Sequence, residues 1–211
     1  MSESANLLSD PYNLIITGVG GQGNVLASRI IGDMLSRQGL WVTIGETFGA
    51  SQRGGSVMSH LRVSSRSSCS PQIPKGKAHM ILGLEPIETL RVLKDYGNPE
   101  VRVLCGTRPI HSIGVICGEQ SYPAGKVLET WIRELSQAAW FIDATGEAVR
   151  LGNPILGNIV SVGALAATGV LPLGRNLLQT VLSNKVPPEK VALNLAAFDR
   201  GEAMIQEQAE E

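Results

Sequence analysis

The stretch from Tyr12 to Gln38 constrains the fold of this chain more than any other. An apolar run, Tyr12 to Thr17, leads into Gly18-Val19-Gly20-Gly21-Gln22-Gly23-Asn24. A helical pattern follows from Gln22 to Gln38. Leu26, Ile30 and Met34 form one apolar row, and Ala27, Ile31 and Leu35 form the next. Gly39 is a natural stop, and Leu40 to Ile44 reads as a second strand. A strand that enters a glycine-rich turn, opens a helix and returns to a strand is the signature of an open α/β sheet.

The remainder of the chain continues that alternation. Ser56 to Val63 predicts a strand with one polar face: Met58, His60 and Arg62 against Val57, Leu61 and Val63. Ser64 to Pro74 reads as a turn or hairpin end. Further strands are expected at Ala78–Leu82, Val101–Cys105, Ile113–Cys117 and Trp140–Asp143. Helices are expected after Pro86, at Lys126–Ala138, Pro154–Thr168 and Asn176–Ser183, and from Pro187-Pro188 onward. The expectation is one α/β domain over 1–211, a single Rossmann-like unit. Its mostly parallel sheet is flanked by helices and carries an antiparallel hairpin or edge. Residues 1–11 are expected to be disordered or extended, and 206–211 to be a frayed tail.

Composition excludes several classes. The 211 residues carry 18 basic and 19 acidic side chains, so no global charge favours nucleic acid or an acidic membrane. Aromatics are 4%, too few for a base-stacking platform. The start lacks the basic, apolar pattern of a secretory signal. Leu151 to Gly174 holds no charge, but Asn153, Pro154, Gly157, Asn158, Ser161 and Pro172 dilute it. It reads as a buried or interface helix rather than a membrane span. The three cysteines, Cys69, Cys105 and Cys117, are far apart and form no C-x-x-C. That suits a reducing, cytoplasmic setting and argues against metal ligation by this chain alone.

Gly18 to Gly23 has the G-x-G-x-x-G spacing. A strand-to-helix turn gathers free N–H groups at a positive helix end, and glycine lets an anion approach that backbone. In a dinucleotide site an acid about 20 residues on holds the ribose, and Glu46 falls in that place, just past the expected second strand. Gln22 puts an amide at a spacer position, however, and no second half of a dinucleotide fold is evident. On spacing alone three readings stand: a dinucleotide, another anionic ligand, or tight packing.

A second candidate loop is Glu46-Thr47-Phe48-Gly49-Ala50-Ser51-Gln52-Arg53-Gly54-Gly55-Ser56. Open α/β sheets bind ligands at the carboxyl ends of their strands, which places this loop beside the first. No acid occurs between Glu46 and Glu85, whereas Arg53, Arg62, Arg66, Lys75, Lys77, His60 and His79 do. A locally positive segment fits an anionic ligand or an acidic partner; acids from elsewhere in the fold could equally neutralise it. Nothing else reads as catalytic. There is no G-x-S-x-G, no H-E-x-x-H, no Walker lysine and no close carboxylate pair. His60 is the only histidine near a candidate site. No catalytic residue is assigned.

Gly18-Val19-Gly20-Gly21-Gln22-Gly23, then Ser51-Gln52-Arg53-Gly54-Gly55-Ser56-Val57 and Ser59-His60-Leu61-Arg62, resemble the gamma-type domain of 2-oxoacid:ferredoxin oxidoreductases. Ser70-Pro71-Gln72-Ile73-Pro74-Lys75-Gly76 and Leu84-Glu85-Pro86-Ile87-Glu88 are similar to the beta subunits of indolepyruvate ferredoxin oxidoreductases. Tyr122-Pro123, Asp143-Ala144, Gly152-Asn153, Asn158 and Gly163-Ala164-Leu165 follow in the expected order, so the likeness runs from about Asn13 to Phe198. One departure is His79, where the family usually has Asp.

The resemblance implies a small subunit that completes another chain's active site. The partner would be a large alpha subunit carrying thiamine diphosphate and iron–sulfur clusters. The complex would decarboxylate indolepyruvate or another aryl pyruvate, form an acyl-CoA and pass electrons to ferredoxin. This chain would help hold coenzyme A through Gly18, Gly20, Gly21, Gln22, Gly23 and Asn24, with Ser51, Gln52, Arg53, Gly54 and Gly55 reaching the same pocket. A homodimer is also compatible. The rival expectation is a stand-alone NAD(P)-binding Rossmann protein with Glu46 on the ribose.

Overall fold

The computed structural model describes residues 7–49, 55–183 and 185–209, without the side chain of Phe48. Strand β1 (Tyr12–Val19) is buried along its whole length and leads through the glycine turn to α1 (Asn24–Ser36). Then come β2 (Trp41–Phe48), β3 (Ser56–Ser64), β4 (Met80–Gly83), α2 (Pro86–Tyr96), β5 (Arg102–Gly106) and α3 (Ile113–Ile116). The chain continues through α4 (Gly125–Glu134), β6 (Ala138–Ile142), α5 (Ala144–Arg150), a 3₁₀ turn (Pro154–Leu156), α6 (Gly157–Ala167), α7 (Arg175–Leu182) and α8 (Pro188–Ala209). Helix α8 passes Gln206, where the sequence reading expects the tail to fray.

The six strands are ordered β2-β3-β1-β4-β5-β6. β1, β4, β5 and β6 are parallel, and only β3 runs against its neighbours, between β1 and β2. The expected antiparallel hairpin is therefore β2–β3, and it forms one side of the sheet.

Alternation along the strands divides the core in two. Leu14, Ile16, Leu61, Met80, Leu82 and Leu104 face the larger layer, built from α1 and α5–α8. Ile15, Ile81, Val103 and Cys105 face the smaller one, closed by Val92 and Leu93 of α2 and Ile132 of α4. The charge-free segment supplies the centre of the large layer. α6 is buried nearly all round and packs against α8 and α1. No helix among the described residues is long and apolar enough to cross a membrane.

Three local expectations change. Ile113–Cys117 is not a strand but one turn of helix with no buried side chain. The face of β3 expected to be polar is partly covered, by the segment that follows β3 and by the end of α2. His60 is 2% exposed under Ile73 and Tyr96. The unforeseen α5 begins where the Asp143 carboxylate accepts the Gly146 N–H at 2.8 Å, an N-cap. Asn153 caps the 3₁₀ turn in the same way, through Ile155 N–H at 3.1 Å.

Candidate functional site

The parallel strands β1, β4, β5 and β6 end at one cleft of about 590 Å³. Gly21, Gln22, Gly23 and Leu26 form one wall. Thr107, Arg108 and Ile110, after β5, form a second; Thr145, Ile155, Asn158 and Ser161, from α5 to α6, form a third. This is the place where an open α/β sheet offers a ligand its strand ends and helix N-termini together.

The glycine turn is shaped by Gln22. Its Oε1 accepts the Val19 N–H at 2.7 Å, and its Nε2 donates to Leu84 O at 2.9 Å. The amide thus ties the end of β1 to the segment after β4. Gly18 lies beneath it, where a Cβ would come within 2.6 Å of Gln22 Oε1. Gly23 has φ +88° and caps α1 without any side-chain hydrogen bond. A Cβ there would be strained and would lie 2.7 Å from Asn158 Nδ2.

Two amides expected to face a ligand are used within the protein. Gly20 N–H donates to Gly55 O at 2.8 Å, and Gln22 N–H donates to Val19 O at 3.1 Å. Among the described residues, the Gly21 and Gly23 N–H groups have no acceptor, and the uncapped first turn of α1 lies behind them. Asn24 is 3% exposed and braces the turn instead, donating through Nδ2 to Val57 O at 3.2 Å. The Gly20–Gly55 bond also links the two sequence motifs. The β2–β3 connection starts beside the glycine turn, its base closed by Gly49 N–H on Ser56 O at 2.8 Å. Ser51, Gln52, Arg53 and Gly54 lie outside the described residues.

Sequence reasoning gave no site role to Arg108 or Asn158. Arg108 is exposed at the cleft and has no ion pair or hydrogen bond among the described residues. Asn158, on the first turn of α6, is 3% exposed, and its Oδ1 has no hydrogen-bond partner. A buried acceptor without a donor costs free energy. Asn158 does occur among the residues that carry the family likeness. Arg108, in a Thr-Arg-Pro loop, has no sequence signal of its own.

Several expectations are corrected here. β2 runs on through Glu46 to Phe48, and β3 stands between it and β1. Glu46 pairs with Ser59, which pairs with Ile16, so it lies below Gly18 and a full strand away, about 10 Å laterally. It cannot hold a ribose at the turn, and the stand-alone NAD(P) reading has no support. The basic segment is partly neutralised by its own fold. Arg66 pairs with Asp10 at 3.8 Å, Lys75 pairs with Asp95 at 3.4 Å, and Arg62 donates to Asn13 Oδ1 and Ser70 O.

His60 is away from the cleft, in mid-strand opposite Ile15. Burial lowers its pKa, and its Nδ1 accepts the Ile73 N–H at 3.3 Å. His79 is likewise structural: Nδ1 accepts the Asn13 N–H at 2.9 Å, the ring lies 5.2 Å from Tyr12, and burial lowers its pKa.

Cys69, Cys105 and Cys117 are free and separate. Cys105 lies deep in the sheet, its thiol pushed up to about 12 by burial. Among the described residues no group of His, Cys, Asp or Glu could hold a metal ion.

Fold and site together define an α/β binding domain. It has a cleft at its strand ends, lined by Arg108 and the open start of α1, and no assembled catalytic group of its own among the described residues. Residues 13–204 match the Pyruvate ferredoxin/flavodoxin oxidoreductase family, and the chain belongs to it. It is 36% identical over 191 residues to the indolepyruvate oxidoreductase subunit IorB of Pyrococcus horikoshii, covering 90% of this chain and 94% of that one. The keto/oxoacid ferredoxin oxidoreductase gamma subunit of Geobacter sulfurreducens shares the fold. Its TM-score is 0.65 at 21% identity, over 93% of this chain and 99% of that one. A 2-oxoglutarate:ferredoxin oxidoreductase from Magnetococcus marinus, solved with 2-oxoglutarate, coenzyme A and succinyl-CoA bound, gives a TM-score of 0.71 at 23% identity. The match covers 94% of this chain but 32% of that one, so there the domain is part of a longer chain.

Proposed function

We propose that this chain is the small subunit of a 2-oxoacid:ferredoxin oxidoreductase acting on indolepyruvate or another aryl pyruvate in the cytoplasm. Its large partner carries thiamine diphosphate and iron–sulfur clusters and passes electrons to ferredoxin. The described residues of this chain do not fit a cluster, since its cysteines are dispersed and no metal-binding group forms.

One observation carries the chain's own role: the uncapped α1 N-terminus, Arg108 and the unpartnered Asn158 amide converge on one cleft. Coenzyme A fits that donor and acceptor set. It offers phosphates to N–H groups and a guanidinium, and amide N–H groups to an acceptor. When bound, it supplies the thiol that receives the acyl group. Gly21, Gly23 and Arg108 bind the anionic end, Asn158 orients an N–H, and Leu26, Ile110 and Ile155 exclude water along the apolar walls. In this reading Gln52 and Arg53, outside the described residues, also serve coenzyme A or the partner's active site.

The test uses the assembled two-subunit enzyme. Arg108→Ala and Arg53→Ala should each raise the KM for coenzyme A by about tenfold, as loss of a charged phosphate contact does, while the KM for the 2-oxoacid stays the same. Unchanged coenzyme A kinetics in both variants would sink the proposed role.

A further inference from the structure

Between β5 and α4 the chain makes an excursion that folds only one helical turn, α3. From Arg108 to Ser121 nearly every residue is exposed, although the segment carries Ile110, Ile113, Val115 and Ile116. Ile113 is 79% and Ile116 72% exposed, and spacing of three puts them on one side of the turn. An apolar pair held out in water beside a polar pocket marks a contact surface.

That pocket is a cavity of about 160 Å³ between the excursion and the start of α2. Two carboxylates line it. Glu85 is 1% exposed and satisfied. Oε2 accepts the Glu88 N–H at 2.9 Å, and Oε1 accepts the Tyr122 hydroxyl at 2.5 Å and the Ile110 N–H at 3.4 Å. Glu88 is 7% exposed and not satisfied. Its Oε1 lies 3.4 Å from Arg91 Nε, but its Oε2 is inaccessible and has no partner. Arg91 and the positive end of α2 offset part of the charge. His111 and Tyr122 face the cavity from the other side, their rings tilted by 55° with centroids 5.0 Å apart, and the Tyr122 hydroxyl is already committed to Glu85. Arg91 also lines the cavity but reaches only Oε1, so one Glu88 oxygen still lacks a hydrogen-bond donor. The pocket is too small for a cofactor and holds no three-ligand metal group. An ammonium or guanidinium head fits.

We infer that this pocket is the socket for a lysine or arginine side chain of the large subunit, with Ile113 and Ile116 packing against apolar groups around it. The inference rests on the subunit reading above. Charge complementarity selects a basic anchor, and the exposed isoleucines supply the surrounding dry surface. Ile110 lines both this cavity and the main cleft, so a partner seated here also lies over the mouth of the cleft.

The test mixes separately purified full-length subunits and measures their Kd by analytical ultracentrifugation. The double variant Ile113→Asp, Ile116→Asp should weaken assembly by about a hundredfold, and Glu88→Gln by about tenfold, as loss of a buried interface anchor does. The isolated Glu88→Gln chain should melt no lower than wild type, since relief of a buried charge with one unpartnered oxygen offsets the lost Arg91 contact. A Kd within twofold of wild type for both variants would overturn the socket. Glu88→Gln that lowers the melting temperature while leaving the Kd unchanged would also overturn it, by making Glu88 structural. So would saturable methylguanidinium binding to the isolated chain that leaves assembly unaffected. If the wild-type subunits do not associate at all, the subunit reading itself fails, which is a separate result.

Discussion

Gly163 and Gly23 both meet α6, and they use the missing side chain in opposite ways. In the middle of α6, Gly163 lies against the Phe198 backbone of α8, and Gly201 of α8 lies reciprocally against Val160. A Cβ at either site would fall inside the van der Waals radius of a backbone oxygen. At the N-terminal end of α6, Asn158 sits against Gly23, and there glycine lets the turn adopt φ +88° and leave the helix start uncapped beside a cleft. One glycine contact closes space to build the core, and the other leaves a helix start open at the cleft proposed to bind coenzyme A. The first is a matter of stability, the second of stability and ligand together, and substitutions can separate them.

The largest effect is expected at the helix crossing. Gly201→Ala or Gly163→Ala forces α6 and α8 apart within the larger core. The cost should be about 3 kcal/mol or more, read as a lower urea midpoint. A midpoint close to wild type would show that the crossing relaxes easily. Gly23→Ala should cost about 2 kcal/mol from its left-handed backbone and also weaken coenzyme A binding. Equal stability loss with intact binding would break the contrast. Gln22→Ala leaves Val19 N–H and Leu84 O without partners and should cost about 1–2 kcal/mol in the same urea experiment.

Acid should destabilise the fold modestly. Burial lowers the pKa of both His60 and His79 in the folded state, below the ordinary 6.5. The unfolded chain then holds more protons between the two values. Stability is full above about pH 6.5 and falls as pH drops toward the folded values. Thermal melts at about pH 7.5 and 5.5 test this, and His60→Gln should flatten the difference. Arg108→Ala is expected to leave stability within about 0.5 kcal/mol, as for an exposed side chain without partners. A clear loss of stability would make Arg108 structural and remove it from the ligand set.

The fold was largely legible because its signals are local. Apolar periodicity located β1, α1 and β4, and Pro86 marked the start of α2. Ile113–Cys117 was misread because apolar residues usually mean burial; here the described chain leaves Ile113 and Ile116 exposed. Glu46 was misread for a different reason. Its distance along the chain matches a ribose-binding acid, but strand order is not a local property, and β3 separates β2 from β1. The candidate site was half legible. Gly18 to Gly23 announces the turn geometry. The roles of Gly20 and Gln22 as internal braces, and of Arg108 and Asn158 as cleft groups, depend on contacts between segments far apart in sequence.

By itself, the sequence determined that β1 is buried on both faces, that a helix starts at a turn only glycine can make, and that no run of cysteines can hold a cluster. These follow from side-chain type and spacing, which act over a few residues. Which amides remain open was left to the tertiary structure, as were the placing of Asn158 and Arg108 at one cleft and the burial of one Glu88 oxygen without a donor. Those outcomes depend on how strands and helices far apart in the chain come to lie side by side, because a hydrogen bond is made or left unmade by that placement.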